Sequence, residues 1–352
     1  MNTEDRRIQE IRQRARSRRR KKQRTAAFCL IGGLILLLLA GTGIAAWQFL
    51  SRQPEGENIS SRESKGQESA AVQTETHEAE TQTETDPPVK LGTNAENLYS
   101  NHALLIRRKN GERLLDKGSG ERIYPASMTK IMTAVVALEK VQDLEEKVRL
   151  SEDMFEELYQ QEASMAGFLP GEEVSVRNLL YGVMLPSGAE CCTGLAEFVA
   201  GSEEAFADLM NQKAQELGMG DTHFVNASGL HNEDHYSTAA DLAALMEYAL
   251  QNETFRTIAQ TDAYTIEPSD AHPEGLTLYS TLFSSMPDEV RSSGLILGGK
   301  TGYTEEAGLC LASFAQIGGE EFILITAGAQ GNHETEQFHI LDTYEVYKNI
   351  GF

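Results

Sequence analysis

The 352-residue chain holds only four cysteines. None is spaced C-x-x-C and none joins a Cys/His cluster, which excludes a zinc finger and a disulfide framework. Cys191 and Cys192 are adjacent on a predicted helix, where their side chains diverge and do not bridge. With Cys310 they are expected as small buried apolar residues. Positive charge is scarce as well, since the net charge is −22. Residues 1–24 carry eleven lysines and arginines against three acids, so the rest of the chain sits near −30. So acidic a body excludes nucleic acid as a partner, because phosphate binding needs a basic surface. His223, His231 and His235 lack the i, i+4 helical spacing of a zinc peptidase and read as structural or solvated. Gly298-Gly299 precedes a lysine without the longer spacing of a phosphate-binding loop. No metal or cofactor is implied, and no internal repeat is visible.

What is present falls into four segments. The basic residues 1–25 precede Ala26–Leu50, about 25 uncharged residues, enough to cross a hydrocarbon core of roughly 30 Å as a helix. The charge asymmetry leaves the basic end in the cytoplasm and everything after Trp47 outside. A cleaved signal peptide is the rival reading, with Gly43-Ile44-Ala45 as its cleavage site; the long leader and long apolar run favour a retained anchor. Residues 51–90 are rich in Glu, Gln, Ser and Thr and hold almost no large apolar side chain, which predicts a disordered acidic stalk. The folded domain is expected over 91–352.

Within it, Ala103–Ile106 and Leu114-Leu115 around Asn110-Gly111 predict a β-hairpin, with Arg107 and Arg108 at a solvated strand end. Val135, Val136 and Leu138 continue a core helix that starts near Ser127. Val174–Met184, Ala189–Ala200, Glu203–Leu217 and a run capped by Ser237 or Thr238 predict further helices. Thr222–Asn226 predicts a strand. The last third is β-rich, with strands over 295–302, 309–315 and 322–327, and His339–Asn349 predicts a closing helix.

The stretch that organises the domain is Tyr124-Pro-Ala-Ser-Met-Thr-Lys130. Residues three apart on a helix share a face, so Ser127 and Lys130 form an S-x-x-K pair within hydrogen-bonding reach. A serine hydroxyl needs a base, and lysine serves when burial or cationic neighbours lower its pKa. By itself the motif also fits an N-cap serine with a surface lysine. Further along come Pro186-Ser187-Gly188 and then Lys300-Thr301-Gly302. A second serine near the first pair can relay a proton to a leaving amine. A lysine and a threonine on a strand can hold a carboxylate.

With these motifs the chain resembles the D-alanyl-D-alanine carboxypeptidases, low-molecular-mass penicillin-binding proteins of the serine peptidase type. The resemblance covers residues 91–352 and extends to YPASMTKIMTA, GFLPGEEVSVRNLLYGVMLPSG, FVNASGLHNEDHYSTAADLAALM and GGKTGYTEEAGLCLASFA. It implies an α/β (α+β) fold of the serine β-lactamase/transpeptidase type, an antiparallel sheet flanked by helices with a mostly helical subdomain. It implies Ser127 as nucleophile, Lys130 as base and Ser187 as proton shuttle. Lys300 and Thr301 would bind the terminal carboxylate, Gly302 would admit the ligand backbone, and the N–H groups of Ser127 and Tyr303 would form the oxyanion hole. The implied substrates are peptidoglycan stem peptides, with β-lactams as inhibitors.

Three departures accompany the resemblance. Ala189 stands where most relatives have the asparagine of S-G-N, Tyr279-Ser-Thr281 replaces an asparagine-containing stretch, and the anchor lies at the N-terminus. A β-lactamase and a non-catalytic wall-binding protein therefore remain open. The first would need a deacylating glutamate, for which residues 151–173 offer no clear counterpart.

Overall fold

The computed structural model describes residues 88–352. The basic segment 1–25, the candidate anchor 26–50 and residues 51–87 of the expected stalk lie outside the described residues. Among the described residues no helix is long and apolar enough to cross a membrane.

The strands run in chain order as β1 (Lys90–Leu91), β2 (His102–Arg107), β3 (Glu112–Lys117), β4 (Lys147–Arg149), β5 (Glu173–Ser175), β6 (Ala263–Ile266), β7 (Leu276–Tyr279), β8 (Gly298–Thr304), β9 (Gly308–Ile317), β10 (Glu320–Ala329) and β11 (Ile350–Gly351). Five of them form an antiparallel sheet of order β3-β2-β10-β9-β8. β1 pairs with β11, so the chain is already in register at Lys90.

Successive residues of a strand face opposite sides of a sheet, and here both sides are covered. Leu104, Ile323, Ile325 and Phe314 join a core made largely of helices, including Lys130–Lys140, Val176–Met184, Ala189–Ala200, Glu203–Glu216 and Ala239–Ala249. Leu105, Leu311, Phe322 and Leu324 join a second core under the helix Phe338–Lys348. Burial on both faces explains why the central strands are apolar runs rather than alternating ones. β8 is one edge strand of this sheet, and β3 is the other.

Several local expectations are corrected. Thr222–Asn226 is not a strand; it holds one bridge, His223 to Tyr236. The Asn211 side chain takes the place of a partner strand, donating to the Phe224 carbonyl and accepting from its N–H, each at 2.8 Å. Val174 and Ser175 belong to β5, and Ser175 caps the helix that follows. Arg107 is not solvated but 1% exposed, and it pairs with Glu320. Arg108 is paired with Glu247 and Glu321. Cys191, Cys192 and Cys310 are free thiols buried in the core.

Candidate active site

Pro125 opens a 3₁₀ turn, Ala126–Thr129, and the α-helix starts at Lys130. Ser127 thus sits on a tight turn before the helix rather than in its first turn. Ala126 takes a left-handed φ of 47° to make that turn. Two close approaches hold it. A Cβ at Gly229 would lie 1.9 Å from the Ala126 carbonyl oxygen, and one at Gly302 would lie 3.1 Å from the Ser127 nitrogen. Gly302 therefore serves the packing of β8 against the turn that carries Ser127, beyond any room it gives a ligand.

Lys130 Nζ lies 3.0 Å from Ser127 Oγ and donates to the Ser228 carbonyl at 2.5 Å. The lysine is 2% exposed, and burial lowers its pKa because the ammonium form loses its hydration. Ser228 is set by a turn in which Asn226 Oδ1 accepts from the N–H groups of Ser228 and Gly229. Buried His235, whose pKa desolvation pushes down to about 3, bonds Thr129 Oγ1 through Nε2 at 2.8 Å.

Ser187 stands at the junction of two helices with a φ of 69°, a strained conformation for a residue with a Cβ. Its hydroxyl is buried without a protein partner. Ala189 is buried, and its N–H donates to Ser164 O at 2.7 Å. Glu190 pins the neighbouring loop: Oε1 accepts from the N–H groups of Ala166 and Gly167 at 2.7 and 2.9 Å. Burial raises its pKa to about 6.

On β8, Lys300 is 1% exposed and donates to the Thr301 carbonyl at 3.0 Å. Desolvation, and then the charge of Lys130, push its pKa far down. Thr301 Oγ1 meets Thr281 Oγ1 at 2.8 Å. The Tyr303 ring meets His333 edge-on at 4.9 Å.

Ser127, Ser187, Thr301, Gly302 and Tyr303 line one cleft of about 350 Å³. Lys130 and Lys300 lie in the wall behind it. The structure thus brings five of the seven sequence-identified residues to one surface and backs them with two desolvated lysines. Sequence reasoning missed the Ser228 carbonyl, the loop-pinning role of Glu190 and the Thr281 hydroxyl. Asn226 and Gly229, three apart in a polar loop, were the available signal for the first.

A serine on a tight turn before a helix, a buried lysine beside it, a second serine in the same cleft and a Lys-Thr-Gly edge strand are the arrangement of a serine peptidase of the penicillin-binding type. The D-alanyl-D-alanine carboxypeptidase family model matches residues 89–331. The chain belongs to that family. It is similar to the D-alanyl-D-alanine carboxypeptidase DacF of Bacillus subtilis (strain 168), 37% identical over 263 residues, 70% of this chain and 64% of that protein. A Streptomyces sp. (strain K15) carboxypeptidase is 34% identical over 227 residues, 60% of this chain and 75% of that protein. In fold it is similar to the crystal structure of the Streptomyces K15 DD-transpeptidase, with a TM-score of 0.65 and 29% identity, over 72% of this chain and 97% of that one. The match thus spans just under two thirds of the Bacillus relative's length.

Proposed function

We propose that the protein is a membrane-tethered serine D-Ala-D-Ala carboxypeptidase that removes the terminal D-alanine from peptidoglycan stem pentapeptides. The observation that carries the reading is the 3.0 Å approach of buried Lys130 Nζ to Ser127 Oγ. A lysine with a lowered pKa has a lone pair to accept the hydroxyl proton. Ser127 Oγ would then bond the penultimate D-alanine carbonyl carbon. The oxyanion would be met by the N–H groups of Ser127 and Tyr303, a contribution that is typically about 3 kcal/mol per donor.

Collapse of the tetrahedral intermediate breaks the C–N bond. The proton held by Lys130 passes through Ser187 Oγ to the departing amine, which leaves as D-alanine. Water then adds to the ester carbon, gives a proton back to Ser127 Oγ and releases the shortened peptide. A β-lactam would enter by the same acylation and remain as an adduct. The tether rests on the sequence of residues 26–50, which would put the catalytic domain outside the membrane on its acidic stalk.

The test is D-alanine release from a peptide ending in D-Ala-D-Ala, by the wild-type chain and by Ser127→Ala. Release that vanishes in the variant supports the reading. Equal release by both would overturn it, and rapid penicillin turnover without D-alanine release would favour a β-lactamase instead.

A further inference from the structure

The loop that orients Lys130 is docked on the helix Lys130–Lys140 by side chains three residues apart. Lys130 Nζ donates to the Ser228 carbonyl, and Thr133 Oγ1 donates to the Ala227 carbonyl at 2.6 Å. The other polar group of Ala227 is met by a different helix. Its N–H donates to Glu203 Oε1 at 3.0 Å, and Ala227 is fully buried. A buried N–H needs an acceptor, and here a side chain supplies it in place of the backbone.

Glu203 opens the helix Glu203–Glu216, next to the capping Ser202. An acid in a first turn gains from the helix dipole without touching anything else, and exposed Glu204 beside it is such a residue. Glu203 differs because its carboxylate reaches out of the helix to a loop 24 residues further on. It is half-buried. Burial raises its pKa, against the Ala227 N–H and the charge of Lys130, and the neighbouring acids Glu157 and Glu197 add to the rise.

The helix Ala189–Ala200 faces Lys130 with Glu190, Cys191 and Cys192, the helix Glu203–Glu216 with Glu203, and β8 with Lys300. His235 faces it from the loop. Burial pushes the Cys192 thiol up to about 12 and Cys191 well above the usual thiol range, and it pushes His235 down to about 3. Thiols and imidazole are therefore neutral where the amine titrates. Glu190 and Glu203 remain as the carboxylates whose charge favours the ammonium form of Lys130.

We propose that Glu203 is a positioning residue for the base, holding through the Ala227 N–H the loop whose Ser228 carbonyl aims Lys130 at Ser127. The role depends on the reading above, in which Lys130 takes the serine proton. Glu203 touches neither the amine nor the serine. It fixes the peptide unit next to the one that Lys130 bonds, and its negative charge works on the amine from a distance.

The test is stopped-flow acylation of the full chain by a chromogenic cephalosporin across pH, for the wild type, Glu203→Gln, Glu203→Ala and the control Glu204→Gln. Glu203→Gln keeps an oxygen for the Ala227 N–H and loses the charge. Its rising limb should move to lower pH, with a plateau close to that of the wild type. Glu203→Ala loses both, so its limb should move the same way and its plateau should fall by about tenfold, the usual effect of losing a hydrogen bond to a charged group. Glu204→Gln should match the wild type in both. A purely structural role would lower the melting temperature and leave the limb in place. A wild-type plateau in Glu203→Ala, or limbs that do not move to lower pH, overturn the inference while the carboxypeptidase reading stands. If Glu203→Ala does not fold, the limb of Glu203→Gln decides alone. If the wild type is not acylated, or Ser127→Ala is acylated equally, the underlying reading fails and takes the inference with it.

Discussion

Lys130 Nζ lies 2.5 Å from the carbonyl oxygen of Ser228, 98 residues further along the chain. That bond orients the amine: in the mechanism proposed above, a neutral Lys130 would keep an N–H on the carbonyl and turn its lone pair to Ser127. In that mechanism the turn made by Asn226 positions the base, although no side chain of it lines the cleft.

The first prediction concerns pH. Burial lowers the Lys130 pKa, and only the neutral amine can accept the serine proton. Acylation should rise as pH increases through that lowered pKa and level off below the ordinary lysine range. Stopped-flow acylation by a β-lactam across pH measures it. A rising limb at the ordinary lysine value would contradict a desolvated base.

A second prediction isolates Glu190. Its folded pKa is raised to about 6 from 4.5. The folded state therefore binds its proton more tightly than the unfolded chain does. The associated stability is fully present below the unfolded value and is lost as pH rises through the folded one, on the order of 2 kcal/mol. Glu190→Gln keeps an oxygen for Ala166 and Gly167 and should lack this fall between pH 5 and pH 8. Glu190→Ala frees those N–H groups and should cost about 1–3 kcal/mol at both. Urea midpoints at the two pH values distinguish the three proteins.

Gly229 gives a third. A Cβ there would meet the Ala126 carbonyl oxygen at 1.9 Å, in a residue at a φ of +79°. Gly229→Ala must move the turn that carries Ser127, and its expected cost exceeds about 3 kcal/mol. Thermal unfolding reads the loss. Alanine tolerated at full activity would show that the turn is not held there.

Much of this site was legible before any geometry. Ser127 and Lys130 are three residues apart, and local spacing is what sequence displays best. The hairpin around Asn110-Gly111 was equally plain, because few turns accept that pair. What escaped depends on long-range placement. Arg107 looked like a solvated strand end, and only the pairing of β2 with β10 buries it against Glu320. Thr222–Asn226 has strand composition, but a side chain from the helix Glu203–Glu216 supplies the hydrogen bonds a strand would need. Lys300 was marked by its motif, yet its burial behind Thr301 follows from the register of β8 on β9.

Ala189 allows a fourth prediction. It is 1% exposed and packed where its N–H serves the loop at Ser164. Ala189→Asn introduces a buried amide, and an unpaired one costs about 1–3 kcal/mol. The variant should lose stability in urea unless the new side chain finds Lys130 or the substrate. Unchanged stability with faster acylation would show that the missing carboxamide had limited the rate.

The central claim is that Ser127, activated by Lys130, becomes acylated. Intact-mass spectrometry of the full chain after exposure to benzylpenicillin, followed by peptide mapping, tests it directly. The account predicts one persistent adduct on the peptide that carries Ser127, absent from Ser127→Ala. No adduct on the folded wild type, or an adduct on another residue, would contradict it.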